Sequence, residues 1–166
     1  MFRFRRKNNA AIGFTMIEII VVLIVIAIAA AMVIPMVLST ADLEATSGAR
    51  MLLSDLQYAQ NVAITSQTPV TVTFDVSADS YSLTNTSGTL IHPISKSAYE
   101  VDFTAMRGFD RLEIVSAGFG GNASVTFDAL GTPDNAGSVT LQAGPHIYRV
   151  DVAAATGKVT VTSIGL

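Results

Sequence analysis

The tract Gly13-Phe14-Thr15-Met16-Ile17-Glu18 runs straight into apolar sequence from Ile19 to Ile34. A short leader carrying Arg3, Arg5, Arg6 and Lys7 precedes it, and its one carboxylate, Glu18, stands at the fifth position after the glycine. Ile19 to Leu38 matches the roughly 20 apolar residues that a helical span requires. A charged side chain at the centre of a membrane helix costs on the order of 2.5–3.5 kcal/mol, which singles Glu18 out as a functional group. An ordinary secretory signal peptide cleaved near Ala27-Ile28-Ala29 would satisfy the small-x-small rule, but Glu18 would then sit at the head of its apolar core. A plain membrane anchor explains the span and leaves the Gly-Phe-x-x-x-Glu arrangement unexplained.

Outward from this tract, the pattern predicts one long helix from Phe14 to about Ser66. Its first half is apolar all round, as lipid demands of a segment whose backbone groups must be satisfied internally. Pro35 lies inside it and is expected to kink or loosen the helix, because it removes a backbone donor and crowds the preceding turn. Beyond Leu38, Ala45, Ala49, Leu52, Leu53, Leu56, Ala59 and Ala63 recur at three- and four-residue spacing. Asp42, Glu44, Arg50, Asp55, Gln57 and Gln60 are assigned to the opposite, polar side. A helix of ~50 residues extends about 75–80 Å, far beyond a bilayer, so its upper half must pack on a folded head. Gly48 weakens that half slightly, and Pro69 closes the helix after Thr65-Ser66-Gln67-Thr68.

After Pro69 the period changes to two. Val70, Val72, Phe74 and Val76 alternate with Thr71, Thr73 and Asp75, the mark of a half-buried strand. Seven further runs are read as strands: Tyr81–Thr84, Tyr99–Phe103, Leu112–Val115, Val125–Phe127, Val139–Leu141, Ile147–Val152 and Val159–Thr162. Turn chemistry separates them at Asn85-Thr86-Ser87-Gly88, Gly118-Phe119-Gly120-Gly121-Asn122, Gly131-Thr132-Pro133-Asp134-Asn135 and Thr156-Gly157. Strands in succession after one helix predict an α+β fold: a long N-terminal helix, membrane-spanning first and amphipathic second, packed against an antiparallel β-sheet head.

Composition closes off several function classes. The 166 residues make one domain plus an anchor, and without cysteine there is no disulfide, thiolate metal site or cysteine nucleophile. Removing residues 1–13 leaves six basic residues against 13 acidic ones, a net charge near −7. Positive charge before the span places the leader in the cytoplasm and the acidic domain across the membrane. Such a domain is a poor partner for nucleic-acid phosphates.

No catalytic constellation assembles either. His92 and His146 are the only histidines, and neither sits in an HExxH motif or beside a second plausible ligand. No Gly-x-Ser-x-Gly elbow is present. Gly118-Phe119-Gly120-Gly121 is followed by a strand where a phosphate cradle needs a helix, so it reads as a hairpin turn. Asn85-Thr86-Ser87 and Asn122-Ala123-Ser124 match glycosylation sequons by pattern alone. Arg107 and Arg111, around Gly108 and Asp110, form a mixed-charge patch instead of a basic stripe.

The basic leader, Gly13-Phe14, Glu18 and the apolar run, together and in order, resemble the type III signal of type IV pilins and type II secretion pseudopilins. The tail is similar to the GspH/FimT-like branch of minor pseudopilins and minor pilins. It carries Val125-Thr126-Phe127-Asp128, Gly131, Ser138-Val139-Thr140-Leu141, Tyr148-Arg149-Val150-Asp151-Val152 and Thr156-Gly157-Lys158-Val159. Tyr81 to Ala117 matches only in strand character.

The resemblance implies a prepilin leader over 1–13, a transmembrane and filament-core segment over 14–38, and a periplasmic head over 39–166. A prepilin peptidase/methyltransferase would cut between Gly13 and Phe14 and methylate Phe14, with Glu18 serving assembly. A proline at the position of Pro35 also recurs in pilins. The implied protein is a non-enzymatic, single-pass inner-membrane subunit without a cofactor. Its partners would be other pseudopilins or pilins, an inner-membrane assembly platform and membrane lipid. Type II secretion is the leading expectation, a type IV pilus the close alternative, and a membrane-tethered β-rich binding domain the alternative outside the family. Major pseudopilins hold calcium in a C-terminal loop, but Asp128, Asp134 and Asp151 lack the compact spacing calcium favours and read as solvated strand ends. DNA-binding relatives use arginines near the C-terminus, whereas Val159 to Leu166 has none.

Overall fold

A computed structural model describes residues 14–165, with the side chains of 31–39 outside the description. Helix α1 spans Met16–Ser66, 51 residues. The chain divides into two compact units, Met1–Leu38 and Ser39–Leu166, and α1 contributes to both.

In the first unit the described side chains are all exposed, from Phe14 at 77% and Met16 at 84% through Ile28 at 55%. Among the described residues no helix is long and apolar enough to cross a membrane. The expected span over 14–38 is described with side chains only as far as Ala30. The backbone stays helical through Pro35, whose side chain lies outside the described residues, as does the whole of Gly13.

In the second unit, Ala45, Ala49, Leu52, Leu56, Ala59 and Ala63 of α1 are fully buried, while Leu53 is only half-buried at its edge. The stripe is built largely of alanine, which lets strands approach the helix axis closely. The polar side differs from the expectation at two places, because Glu44 and Asp55 are buried. Ser66 Oγ donates to Val62 O over 2.6 Å and Gln67 turns left-handed at φ 52, ending α1 ahead of Pro69.

Among the described residues nine strands follow: β1 Val70–Asp75, β2 Ser80–Asn85, β3 Gly88–Thr89, β4 Glu100–Asp102, β5 Leu112–Phe119, β6 Ser124–Phe127, β7 Gly137–Ala143, β8 His146–Val152 and β9 Val159–Gly165. Each of the eight sequence-read strands is present, and the short β3 is added, starting at Gly88, the last residue of a stretch assigned to a turn. Gly118 and Phe119 belong to β5, so the turn there narrows to Gly120-Gly121, both at positive φ. Phe119 is fully buried, which is why it extends the strand instead of lining a loop.

All pairing is antiparallel, as expected, but the strands form two sheets where one was expected. The first runs β3-β2-β1-β6 with β4 also on β2, and the second runs β5-β7-β8-β9. Phe74 and Tyr81 of the first sheet, Phe119, Val139, Leu141 and Val150 of the second, Phe103 from the loop after β4 and the α1 stripe share one cluster. At ~25 cal/mol per Å² of apolar area removed from water, this shared burial is the main source of head stability.

Candidate functional site

Helix α1 opens with a capping box. Glu18 N donates to Thr15 Oγ1 at 3.3 Å, and Thr15 N reaches Glu18 Oε2 at 3.5 Å. Thr-x-x-Glu is the sequence signature of this reciprocal cap, which satisfies two helix-end donors. The sequence reading of Glu18 missed this local role, although the spacing carried it. Phe14, immediately outside the cap, is exposed, so the bond expected to be cut precedes the first helical turn.

Within the head, the densest polar arrangement centres on Asp55. Tyr81 Oη donates to Asp55 Oδ2 at 2.5 Å and Tyr99 Oη to Oδ1 at 3.0 Å. Burial pushes the Asp55 carboxyl above its ordinary range, and the two hydroxyls partly pull it back. Both phenols are raised, first by burial and then by the charge on Asp55, so they stay donors. Tyr58 stacks on Tyr99 with centroids 5.4 Å apart, and the His92 ring lies 4.5 Å from Tyr99, tilted by 46°. The network ties α1 to β2 and to the residue just before β4. Its donors are 26 and 44 residues away in the chain, so spacing within the helix gave no sign of it.

A second set of polar ties lies lower on the helix. Tyr148 Oη donates to Asp42 Oδ1 at 3.0 Å and accepts from Thr46 Oγ1 at 2.9 Å, while His146 Nδ1 stands 3.6 Å from the same Asp42 oxygen. His146 therefore does have an acidic neighbour, contrary to the sequence reading. Glu44 Oε2 accepts the Arg111 backbone N–H at 3.1 Å. At the upper end, Gln60 Nε2 donates to Gly131 O at 2.7 Å and Thr156 O at 3.0 Å.

The remaining candidates are kept apart. Asp128 Oδ1 accepts from Leu130 N and Thr132 N at 2.8 Å each, and Asp134 Oδ1 from Thr126 N at 3.0 Å. Asp151 pairs with Arg149 at 3.0 Å. Each carboxylate is engaged locally, and among the described residues no three His, Cys, Asp or Glu side chains gather as a metal group. His92 Nδ1 accepts from Ile94 N and Ser95 N at 3.2 Å, which makes it the cap of its own loop. Arg107 is exposed. Chemically, these groups hold a helix to two sheets; they do not converge on a common reaction centre.

No curated protein sequence matches the chain. Among solved structures, the minor pseudopilin EpsH from the Type 2 Secretion System of Vibrio cholerae aligns at TM-score 0.52 and 15% identity, covering 74% of this chain and 97% of that one. The type IV minor pilin FimU of Pseudomonas aeruginosa aligns at TM-score 0.51 and 18% identity, covering 72% of this chain and 88% of that one. At these identities the likeness is one of fold: a helix on antiparallel sheet. The family described as Type II transport protein GspH matches residues 48–157, well over half of the chain. That stretch takes in α1 from Gly48 onward and every strand from β1 to β8, and the chain belongs to the type IV pilin-like GspH family.

Proposed function

We propose that this chain is a non-enzymatic minor pseudopilin of a type II secretion system. In this reading residues 1–13 are a leader removed before Phe14, and Phe14 is then methylated. Residues 14–38 anchor the subunit in the inner membrane and later pack in a filament core. Residues 39–166 form the periplasmic head. The observation that carries the reading is the GspH match over 48–157 on a chain whose N-terminal tract is Gly13-Phe14-Thr15-Met16-Ile17-Glu18. The exposed apolar side chains from Ile19 to Ile28 support it, because an apolar surface of that extent needs lipid or other helices to cover it.

The partners in this reading are a prepilin peptidase/methyltransferase, other pseudopilins and an inner-membrane assembly platform. Nucleic acid is disfavoured by the excess of acidic residues. A minor pilin of a type IV pilus is the second reading, favoured by the nearly equal fold likeness to FimU. Family membership leaves a tethered binding domain outside the family without support. Deleting the gene separates the first two. Loss of folded exported proteins from the medium, with their retention in the periplasm, supports the pseudopilin. Loss of surface pili with secretion intact supports the minor pilin.

A further inference from the structure

The two sheets leave several edges open, and all but one are blunted. β3 has two residues and β4 three, with Glu100 and Asp102 on the latter. The outer edge of β6 is covered by the loop after it, through Asp134 N to Thr126 O at 2.8 Å and Asp128 N to Thr132 O at 2.9 Å. β5 carries Glu113 and a bulge between Ile114 and Ser116. Short strands, charges, bulges and covering loops are the means by which proteins keep sheet edges from pairing with other chains.

Over Val159–Ser163 β9 has none of these devices, and its one irregularity is at the far end, where Ile164 is left over between the Ile147–Gly165 and Tyr148–Ser163 pairs. Its seven residues, Val159-Thr160-Val161-Thr162-Ser163-Ile164-Gly165, include no charge and no proline. They pair regularly with β8 from Val159 to Ser163, and among the described residues no strand lies on the far side. Val159 is buried and Val161 half-buried on the core face, while Thr160 and Thr162 are exposed. Every second residue of such a strand turns its N–H and C=O away from β8, and an added strand would satisfy them. β9 also lies beyond the residues that the GspH family matches.

We propose that β9 is a docking edge that accepts an extended segment of a different, less acidic subunit as a further strand of the second sheet. The charge balance selects the partner. Residues 39–166 hold six basic and 12 acidic side chains, so a second copy would bring like net charge, which the exposed Lys158 just before the strand offsets only in part. A strand uncharged across the paired stretch and flanked by basic residues meets both the neutral edge and the acidic body. This inference rests on the reading of the chain as a filament subunit, and it names one surface through which such a subunit contacts its neighbour.

The probe is a synthetic peptide of alternating valine and threonine flanked by lysines, with a glutamate-flanked version as its counterpart. Each is added to the full chain in detergent micelles while amide hydrogen exchange is followed. The lysine-flanked peptide should slow exchange across Val159–Gly165, more weakly as salt is raised, and the glutamate-flanked peptide should do less. Replacing exposed residues of the edge, as Thr160→Lys with Thr162→Lys, should weaken binding by about tenfold or more, since like charges facing across strands oppose pairing. Glu113→Lys on β5 should leave the protection of β9 unchanged. Equal binding to the Thr160→Lys/Thr162→Lys chain, or no protection of β9, overturns the proposal. Protection that grows with protein concentration and no peptide assigns the edge to a second copy, which also overturns it. Cleavage before Phe14 and the secretion phenotype are read separately, so failure here is distinct from failure of the pseudopilin reading.

Discussion

Gly48 of α1 faces the end of the Leu112 side chain so closely that a Cβ on Gly48 would fall inside the Leu112 Cδ2 methyl. The helix and β5 meet here without a spacer, and Leu112 is itself buried and cannot swing into solvent. Alanine in place of helical glycine normally gains about 0.5–1 kcal/mol. Overpacking a filled core costs about 1–3 kcal/mol, so the clash should win. Gly48→Ala is expected to lower head stability by roughly 1 kcal/mol, read as an earlier urea midpoint in micelles. A stabilised variant would show that Leu112 relocates freely.

Gly157 plays the same part at the upper end of the helix, with backbone geometry added. Its φ is +63°, and a Cβ there would lie 2.8 Å from Gly131 O and against the Gln60 carboxamide. That carboxamide holds the loops at Gly131 and Thr156 to α1. Gly157→Ala should therefore cost about 1–2 kcal/mol from the left-handed backbone alone, and more from the displaced hydrogen bonds. Gly118→Ala has no neighbour within 4 Å and is the matched control, expected to be nearly neutral in the same unfolding measurement.

These two glycines mark where the sequence could be read and where it could not. Period-three-and-four burial from Ala45 to Ala63 and period-two burial in β1 follow from local pattern, so the helix stripe and the strands were legible. The close approaches at Gly48 and Gly157 depend on Leu112 and Gln60, residues remote in the chain. The same holds for Asp55, assigned to the wet side of the helix because its partners are tyrosines on other elements. The division into two sheets was hidden for the same reason, since strand pattern fixes which face is buried but not which neighbour is bonded. Glu18 is the opposite case. Its capping box is local, with Thr15 and Glu18 at the Thr-x-x-Glu spacing, and so was legible in the sequence.

The Asp55 network makes stability depend on pH in a set direction. Burial holds the Asp55 carboxyl above its ordinary value of 3.8. The folded head thus binds this proton more tightly than the unfolded chain does. Its contribution is fully present below 3.8 and is lost as pH rises through the raised folded value. Wild type should therefore lose stability relative to Asp55→Asn as pH rises from 3.8 through the raised folded value, read in urea titrations. A constant difference would mean that the carboxyl titrates alike in both states. Asp55→Leu should be worse than Asn at every pH, because it strands the Tyr81 and Tyr99 hydroxyls at about 1–3 kcal/mol each.

Glu18 has two candidate roles that one pair of substitutions separates. As the last residue of the capping box, three positions after Thr15, it accepts from Thr15 N and fixes the start of α1. As a charge it would pair, once Phe14 is a free methylated amine, with the amino terminus of a neighbouring subunit in the filament core. Within one chain Phe14 and Glu18 are four residues apart, so a self-neutralising pair competes with the intersubunit one. Glu18→Gln preserves the cap, since glutamine serves the capping box as well as glutamate does, and removes only the charge. Glu18→Ala removes both. If the charge joins subunits, both variants should still be cut after Gly13 and reach the inner membrane. Both should nevertheless be depleted from sheared filaments, because an amine buried without its carboxylate costs roughly 3–5 kcal/mol. If the cap is the whole role, Glu18→Gln should enter filaments at the wild-type level and only Glu18→Ala should fall short. Mass spectrometry of the membrane-extracted protein gives the N-terminus and its methyl group. Quantitative immunoblotting of sheared filaments gives incorporation, and wild-type incorporation of Glu18→Gln would rule out the intersubunit charge pair.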